Sequence, residues 1–213
     1  MFRRLTRTDQ LLVRLDEVLR AAFGSGAAAG RPSPAKDVAQ QPLNDQERRH
    51  AAGLMRVNHT GEVCAQALYV GQAMVARSPE VVQALRSAAA EEKDHLNWCR
   101  ERLDALEAGP SRLDPLWFGG SLALGVAAGL VGDRFSLGFV RETERQVEAH
   151  LEGHLERLPE GDLASRAVVA EMAMDEARHG EEAGAHGAVE LPGFVRRAMT
   201  LEARVMTTLA YFV

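Results

Sequence analysis

Two short motifs in this sequence pair a glutamate with a histidine three residues later, Glu92-x-x-His95 and Glu176-x-x-His179. On an α-helix, residues three apart are neighbours on one face, so each motif can aim a carboxylate oxygen and an imidazole nitrogen at a single point. A single pair of this kind is common by chance and is typical of a solvated helix face. Two pairs in one chain favour a shared role, such as binding metal ions.

Each motif is matched by one further glutamate at a similar distance along the chain. Glu62 lies 30 residues before Glu92, and Glu144 lies 32 residues before Glu176. A proline-containing turn falls near the middle of each interval, so the two glutamates of a pair come to a similar height on antiparallel helices, roughly 21–26 Å from the turn. The sequence therefore predicts two copies of one helical unit, with the four glutamates and two histidines at one level of the bundle.

Four carboxylates and two imidazoles at one level of a dry core require cations. Unpaired buried charges cost far more than the roughly 5 to 15 kcal/mol by which a fold is stable. Two divalent ions balance four carboxylates, with one neutral imidazole for each metal, the ligand set of ferritin-like di-iron and di-manganese bundles. Oxygen-rich ligation without thiolate disfavours structural zinc, and iron is the first choice. The predicted ligands are Glu62, Glu92, His95, Glu144, Glu176 and His179.

An acidic residue directly before the glutamate of each motif is placed to support a histidine. A metal-bound imidazole usually donates its other N–H to a carboxylate. By the pseudo-twofold relation between the two units, we predict that Asp175 contacts His95 and that Glu91 contacts His179.

The whole chain has the composition of packed helices. Of its 213 residues 46% are hydrophobic but only 5% aromatic, which favours an all-α class over a β-sandwich. The net charge of −5 argues against nucleic acid as a partner. Cys64 and Cys99 are too few for a disulfide framework and are more typical of small core residues than of nucleophiles. We expect a ferritin-like four-helix bundle.

Breaker residues divide the chain into helices. Asn44 with Glu47 three residues later predicts a capping box, and Ser78 followed by Pro79 predicts a helix start. Asp162 is predicted to cap another helix. The predicted helices cover residues 44–77, 78–109, 142–157 and 162–187, and an amphipathic stretch over 194–213 is predicted to pack along the bundle.

The first 43 residues are predicted to lie outside the bundle. Leu11, Leu15 and Val18 recur at helical spacing, which predicts an amphipathic helix that either docks on the domain or lies on a membrane. Residues 24–43 are rich in Gly, Ala and Pro and are typical of a linker. The sequence thus predicts a domain over residues 44–213.

Between the two units lies an uncharged stretch, LWFGGSLALGVAAGLVG, residues 116–132. It is short for a membrane-spanning helix, which needs about 20 residues. One interpretation is the crossover that a ferritin-like bundle needs between its second and third helices. The alternative, favoured by Trp117 and Phe118 at one end, is an interfacial hairpin that enters a bilayer or covers a lipophilic cavity. The alternative suggests a lipid-soluble substrate.

Four stretches carry the candidate ligands: RVNHTGEVCAQALYVGQ, EEKDHL, ETERQVEAH and DEARH. Together they resemble the demethoxyubiquinone hydroxylase family, the di-iron monooxygenases of ubiquinone biosynthesis, over about residues 44–213. All six predicted ligands fill the family's ligand positions. The family pattern adds His150 as a catalytic candidate, although Leu151 stands where family members often have a tyrosine.

The resemblance implies that the chain hydroxylates the ring of a 2-polyprenyl-3-methyl-6-methoxy-1,4-benzoquinol with O₂ at two iron ions bridged by carboxylates. It also implies an external electron donor, since the sequence has no nucleotide-binding glycine motif. We expect a peripheral position on the cytoplasmic face of the cell membrane. The alternatives are a ferritin-like iron store or peroxide scavenger, which has no need of an apolar crossover, and a structural lipid carrier.

Overall fold

Six α-helices make up the part of the chain that the computed structural model describes, residues 30–39 and 41–213, and no strand occurs within these residues. Helices α1 and α2 form one antiparallel hairpin and α4 and α5 a second, and the two hairpins pack into a four-helix bundle. Helix α3 is the crossover and lies along α1, while α6 packs on α1 and α4. The helices are α1 (Asp45–Val75), α2 (Pro79–Ala105), α3 (Asp114–Val131), α4 (Asp133–Arg157), α5 (Leu163–Ala185) and α6 (Gly193–Phe212). The predicted all-α, ferritin-like architecture is confirmed.

The helix starts follow from the predicted caps. Asn44 Oδ1 accepts the N–H of Glu47 at 2.9 Å, and Glu47 Oε2 accepts the N–H of Asn44 at 2.9 Å, which confirms the capping box. Ser78 and Asp162 cap α2 and α5 through their side-chain oxygens. Helix α1 ends two residues earlier than predicted, because the N–H of Arg77 bonds to a carboxylate of α4 and not to its own helix.

Apolar side chains fill the bundle in two layers, and a polar layer lies between them. One layer is formed at the end of the bundle near the α2 C-terminus, and the other near the α2 N-terminus. The first includes Leu54, Met55, Trp98, Cys99, Leu103, Leu151, Val168 and Met172. The second includes Ala65, Leu68, Tyr69, Val81, Leu85, Leu137, Val140 and Ala183. On each helix of the bundle the predicted ligands fall between residues of these two layers, so apolar packing shields them from water.

The apolar stretch lies in one continuous helix, α3, and not in a hairpin, which agrees with the crossover interpretation, while its contact with a membrane stays a prediction. Its backbone touches the backbone of α1. An ideal Cβ on Gly125 would lie 2.2 Å from the carbonyl oxygen of Leu68, and one on Gly71 would lie 2.4 Å from that of Leu122. Such distances admit only glycine, as in helix pairs that associate through small residues.

Helix α3 is the one described helix with the length and composition to cross a membrane, with a mean hydropathy of 1.3 over 18 residues, 22% of them buried. Trp117, which the sequence suggested as an interfacial anchor, packs against a cluster of Val57, Met206 and Ala210. The large apolar side chains that α3 exposes are Leu116, Leu124, Leu130 and Val131.

The described part of the predicted linker lies against the bundle. Ala35 packs on the first apolar layer, and Lys36 closes a turn by donating its N–H to the carbonyl of Ser33 at 3.0 Å. The amphipathic helix predicted around Leu11 falls outside the described residues. The domain boundary after residue 43 stays a prediction.

Helix α4 carries a pair of histidines, of which His154 is buried and His150 half-buried. The rings of His150 and His154 are 4.0 Å apart, and His154 Nδ1 is buried without a hydrogen-bond partner. Burial lowers the pKa of His150 to about 4 and that of His154 to about 2. Both imidazoles are therefore uncharged in the folded protein at neutral pH.

Substitution of Gly125 by alanine should separate α3 from α1. Although alanine favours helix more than glycine does, its Cβ meets backbone atoms, and we expect the free energy of unfolding to fall by about 1–3 kcal/mol. Gly120→Ala on the same helix is the matched control, because its added Cβ would point into open space. Urea denaturation measures both variants. Equal stability of the Gly125 variant and the wild type would contradict the backbone contact.

Acid should destabilise the fold through His154. An unfolded histidine has a pKa of about 6.5, so below this pH the unfolded state binds a proton that native His154 rejects. The contribution of His154 to the free energy of unfolding is fully present above pH 6.5. It is lost as pH falls toward the lower folded-state pKa, by at most about 1.4 kcal/mol per pH unit. His154→Gln should flatten the measured slope of unfolding free energy between pH 6.5 and 5. His186→Gln, at an exposed position, is the control and should keep the wild-type slope.

Candidate metal centre

The structure brings all six predicted ligands together in the polar layer. Each is at least 96% buried, and they come from α1, α2, α4 and α5. Within each of two groups, ligand atoms lie within 4.8 Å of one another, a spacing that can hold a metal ion. The groups are Glu62, Glu92, His95 and Glu176, and Glu92, Glu144, Glu176 and His179. The two groups share Glu92 and Glu176, so the geometry provides two adjoining metal positions.

The shared glutamates each turn one oxygen toward each histidine. His95 Nδ1 lies 3.2 Å from Glu92 Oε2 and 3.2 Å from Glu176 Oε1. His179 Nδ1 lies 3.5 Å from Glu92 Oε1 and 3.3 Å from Glu176 Oε2. Glu62 Oε2 lies 3.6 Å from His95 Nδ1 and completes the group on this side. Each position thus has one imidazole, one glutamate of its own and two bridging glutamates, while the assignment of these residues as ligands stays a prediction.

Two carboxylate oxygens of this layer have no hydrogen-bond partner. Glu92 Oε1 and Glu144 Oε1 are buried and accept no hydrogen bond. Burial raises the pKa of Glu62 well above its usual range, and the charge of Glu92 raises it further. Burial, together with the charge of Glu176, likewise raises the pKa of Glu144 well above its usual range. These orphaned oxygens, held among hard oxygen and imidazole donors, fit iron or manganese better than a thiolate-binding metal.

The histidines hold their Nδ1 atoms toward this layer because their Nε2 atoms are engaged behind it. His95 Nε2 lies 2.9 Å from Asp175 Oδ2, and His179 Nε2 lies 3.3 Å from Glu91 Oε2. Both predicted pairings are confirmed. Burial alone would raise the pKa of Asp175. Hydrogen bonds from His95 and two arginines outweigh burial and hold this pKa well below its usual range. An ionised carboxylate behind each imidazole fixes the ring orientation and makes it a stronger ligand.

Sequence reasoning missed the two arginines that bind these carboxylates. Arg178 donates to both, at 2.6 Å to Glu91 Oε2 and 2.9 Å to Asp175 Oδ1. Arg31 donates to Asp175 Oδ2 at 2.6 Å. Arg178 could have been found, because it lies three residues after Asp175 on the same helix. Arg31 could not, since nothing in its Gly- and Pro-rich surroundings predicts a contact 144 residues away.

The other candidates lie outside the cluster. Cys99 is buried in the first apolar layer against Met172. Cys64 is only half-buried, but burial raises the pKa of its thiol to about 12, so neither cysteine is suited to act as a nucleophile. His150 lines a cavity of about 280 Å³ that Glu62 also lines. It thus lies beside the candidate metal centre without belonging to it.

Comparison with known proteins agrees with this geometry. The family model described as ubiquinone biosynthesis protein COQ7 matches residues 49–210. The chain is 52% identical to a 3-demethoxyubiquinol 3-hydroxylase of Ralstonia pickettii (strain 12J), over 95% of this chain and 98% of that protein. It is 56% identical to the protein of that name in Verminephrobacter eiseniae (strain EF01-2), over 98% and 100%. For that of Xanthomonas oryzae pv. oryzae (strain PXO99A) the identity is 54%, over 95% and 93%.

The match spans all six candidate ligands and both acidic residues behind the histidines, on a fold of two helical hairpins. The relatives carry the same name at more than half identity over nearly their whole length. The chain belongs to the COQ7 family of ubiquinone biosynthesis proteins.

Proposed function

We propose that this chain is a 3-demethoxyubiquinol 3-hydroxylase, an O₂-dependent di-iron monooxygenase. The observation that carries the proposal is the pair of shared glutamates, Glu92 and Glu176, each facing both histidines across two adjoining metal positions. The relatives' shared name supports the reaction and its quinol substrate. When bound, two ferrous ions at these positions supply electrons to O₂ and act together as a Lewis acid.

The reaction needs a source of two electrons and two protons besides O₂. One oxygen atom of O₂ replaces the ring C–H bond by a C–OH group, and the other leaves as water after taking up two protons and two electrons. An external donor, or the quinol itself, supplies the electrons. The residues of this chain contribute by holding the metal positions, excluding bulk water with two apolar layers, and placing the substrate ring beside Glu62.

Two adjoining cavities offer the substrate a path to Glu62. The inner cavity, of about 280 Å³, is lined by Glu62 itself, Asn58 and His150. The outer cavity, of about 400 Å³, is largely apolar and runs between α3 and α6, with Leu124 and Phe194 in its wall. Both share the wall residues Gly61, Gln146, Val147, Ala203 and Met206. The pair suits a polar ring attached to an apolar tail.

The polar residues of the inner cavity are suited to a quinol ring. Asn58 Oδ1 and His150 Nε2 are buried without hydrogen-bond partners. Asn58 Oδ1 can accept a hydrogen bond from a ring hydroxyl, and the uncharged imidazole of His150 can donate or accept one. We assign both residues a role in orienting the ring toward the metal centre.

We also propose that α3 and α6 hold the protein on the cytoplasmic face of the cell membrane. Besides the outward leucines of α3, α6 exposes Phe194, Leu201, Val205, Leu209 and Phe212. Arg196, Arg197 and Arg204 lie on the same helix, a combination typical of interfacial helices on anionic lipid. The glycine contacts tie α3 to α1, which favours lying on the bilayer over crossing it. The outer cavity then opens beside the lipid that holds the prenyl tail.

An iron store or peroxide scavenger remains the alternative chemistry for such a centre. It needs no apolar cavity between exposed apolar helices, and a structural lipid carrier needs no buried carboxylates. The combination of both features in one chain, beside relatives named as hydroxylases, favours the monooxygenase.

Loss of a ligand should abolish hydroxylation but keep the fold. Glu176→Gln and His179→Ala should bind fewer than two iron ions and form no hydroxylated product, because Glu176 bridges both positions and His179 is the sole imidazole of one. Circular dichroism should stay helical, since both variants keep the two apolar layers and Glu176→Gln also removes one of the facing carboxylates. Glu181→Gln, at an exposed position on the same helix, is the control.

The assay supplies ferrous protein with a demethoxyubiquinol, a reductant and ¹⁸O₂, and mass spectrometry follows the label. One labelled oxygen in the ring hydroxyl is expected for the wild type and the control. Peroxide consumption or iron mineralisation without labelled quinol would support the alternative and defeat the hydroxylase proposal.

Removing apolar side chains from the outer face should release the protein from lipid. We choose Leu116, Leu130 and Leu201, each more than 60% exposed and outside the cavity walls described above. Each buried leucine contributes roughly 1.5–3 kcal/mol, so the triple serine variant should bind anionic liposomes at least about tenfold more weakly. Turnover of a long-tailed quinol in bilayers should fall, while a short-chain, water-soluble analogue should react as before.

A double variant on α2, Arg100→Ser with Asp104→Ser, controls for surface change, since both side chains are more than half exposed. Undiminished liposome binding by the leucine variant would contradict the proposed membrane face. Equal loss of both activities would show that these leucines support the fold.

A further inference from the structure

The N-terminal stretch that the sequence marks as a linker reaches the back of the candidate metal centre. The backbone N–H groups of Gly30 and Arg31 donate to the carboxylate of Asp94 at 2.6 and 3.2 Å. The Arg31 guanidinium lies over the Trp98 ring, 4.8 Å from its centroid, and the Trp98 indole N–H donates to the Arg31 carbonyl at 3.3 Å. These contacts hold Arg31 and its neighbour, together with the ion pair with Asp175 at 2.6 Å and a contact of the guanidinium with His95 Nε2 at 3.3 Å.

The two helical units differ at one position directly before the histidine. In the α5 unit this position is Arg178, which itself binds the carboxylates behind both histidines. In the α2 unit it is Asp94, which cannot do so. Asp94 instead accepts hydrogen bonds from the backbone of residues 30 and 31. The guanidinium of Arg31 then supplies the second arginine contact to Asp175, which the α2 unit itself cannot provide.

The result is an uneven support of the two histidines. Asp175, behind His95, is held at both oxygens, by Arg31 on Oδ2 and Arg178 on Oδ1, and is 10% exposed. Glu91, behind His179, accepts from Arg178 at one oxygen and is 31% exposed. The carboxylate with two arginines and less water is the more firmly oriented one.

We propose that Arg31 is a positioning residue that fixes Asp175 and thereby His95, so that the metal position at His95 holds its ion more firmly than the position at His179. The Gly30–Arg31 stretch then helps to position a metal ligand and is more than a linker. The inference rests on the proposed di-iron centre, and it adds that the two positions are inequivalent and that Arg31 causes the difference.

The test uses full-length protein loaded with ⁵⁷Fe(II) under anaerobic conditions. Mössbauer spectra should show two ferrous components, and a chelator should remove iron in a fast and a slow phase. In Arg31→Ala one component should change while the other stays, and the slow phase should accelerate about tenfold, the lower end of the usual effect of residues behind a metal ligand. The fast phase should keep its rate.

Further variants separate charge from packing. Arg31→Lys should restore much of the slow phase, because it keeps a cation near Asp175, whereas Arg31→Met keeps the stem alone and should behave as Arg31→Ala. Arg178→Ala should accelerate both phases, because Arg178 supports both carboxylates. Arg100→Ala on α2, whose guanidinium pairs with exposed Asp104, is the control and should match the wild type.

The outcomes distinguish the two levels of the argument. Wild-type protein that binds no iron would defeat the metal centre itself. Wild-type protein with two iron ions but unchanged release in Arg31→Ala would overturn the role of Arg31 and leave the metal centre standing. Equal acceleration of both phases in Arg31→Ala, or full wild-type behaviour of Arg31→Met, would also overturn it.

Discussion

Four carboxylates buried at one level of the bundle are the constraint on which the rest of the structure depends. Ionised carboxylates are expensive to remove from water unless positive charge lies beside them. Here the four glutamates and two histidines are enclosed above and below by apolar layers, so water cannot supply that balance. Two divalent cations can. The hairpins set the heights of these six side chains, and the apolar layers keep water away from them.

The site has a supported side and an open side. Helices α2 and α5 carry the histidines, and behind them charge alternates outward from imidazole to carboxylate to arginine. Helices α1 and α4 carry Glu62 and Glu144 and border the cavities that lead to exposed α3 and α6. Rigid ligands on one side and substrate access on the other fit a centre that must act on a lipid-soluble ring without moving its metals.

Much of the site could be predicted because helical spacing alone decides it. Glu-x-x-His places two ligands on one face, and similar distances to a turn bring Glu62 level with Glu92, so sequence was enough to group the six residues. The same symmetry predicted the contact between Asp175 and His95. Arg31 escaped prediction because its contacts are long-range and its segment has no periodicity. Trp117 was misplaced because hydrophobicity does not tell which side of a helix faces the bundle, and glycine content does not either, since Gly125 contacts α1 and Gly120 does not.

The most direct measurement is a crystal structure of the iron-loaded protein with anomalous scattering recorded at the iron absorption edge. The account predicts two anomalous peaks about 3.5–4 Å apart, one at Nδ1 of His95 and one at Nδ1 of His179, with Glu92 and Glu176 between them. A single peak, or iron bound away from these six side chains, would contradict it.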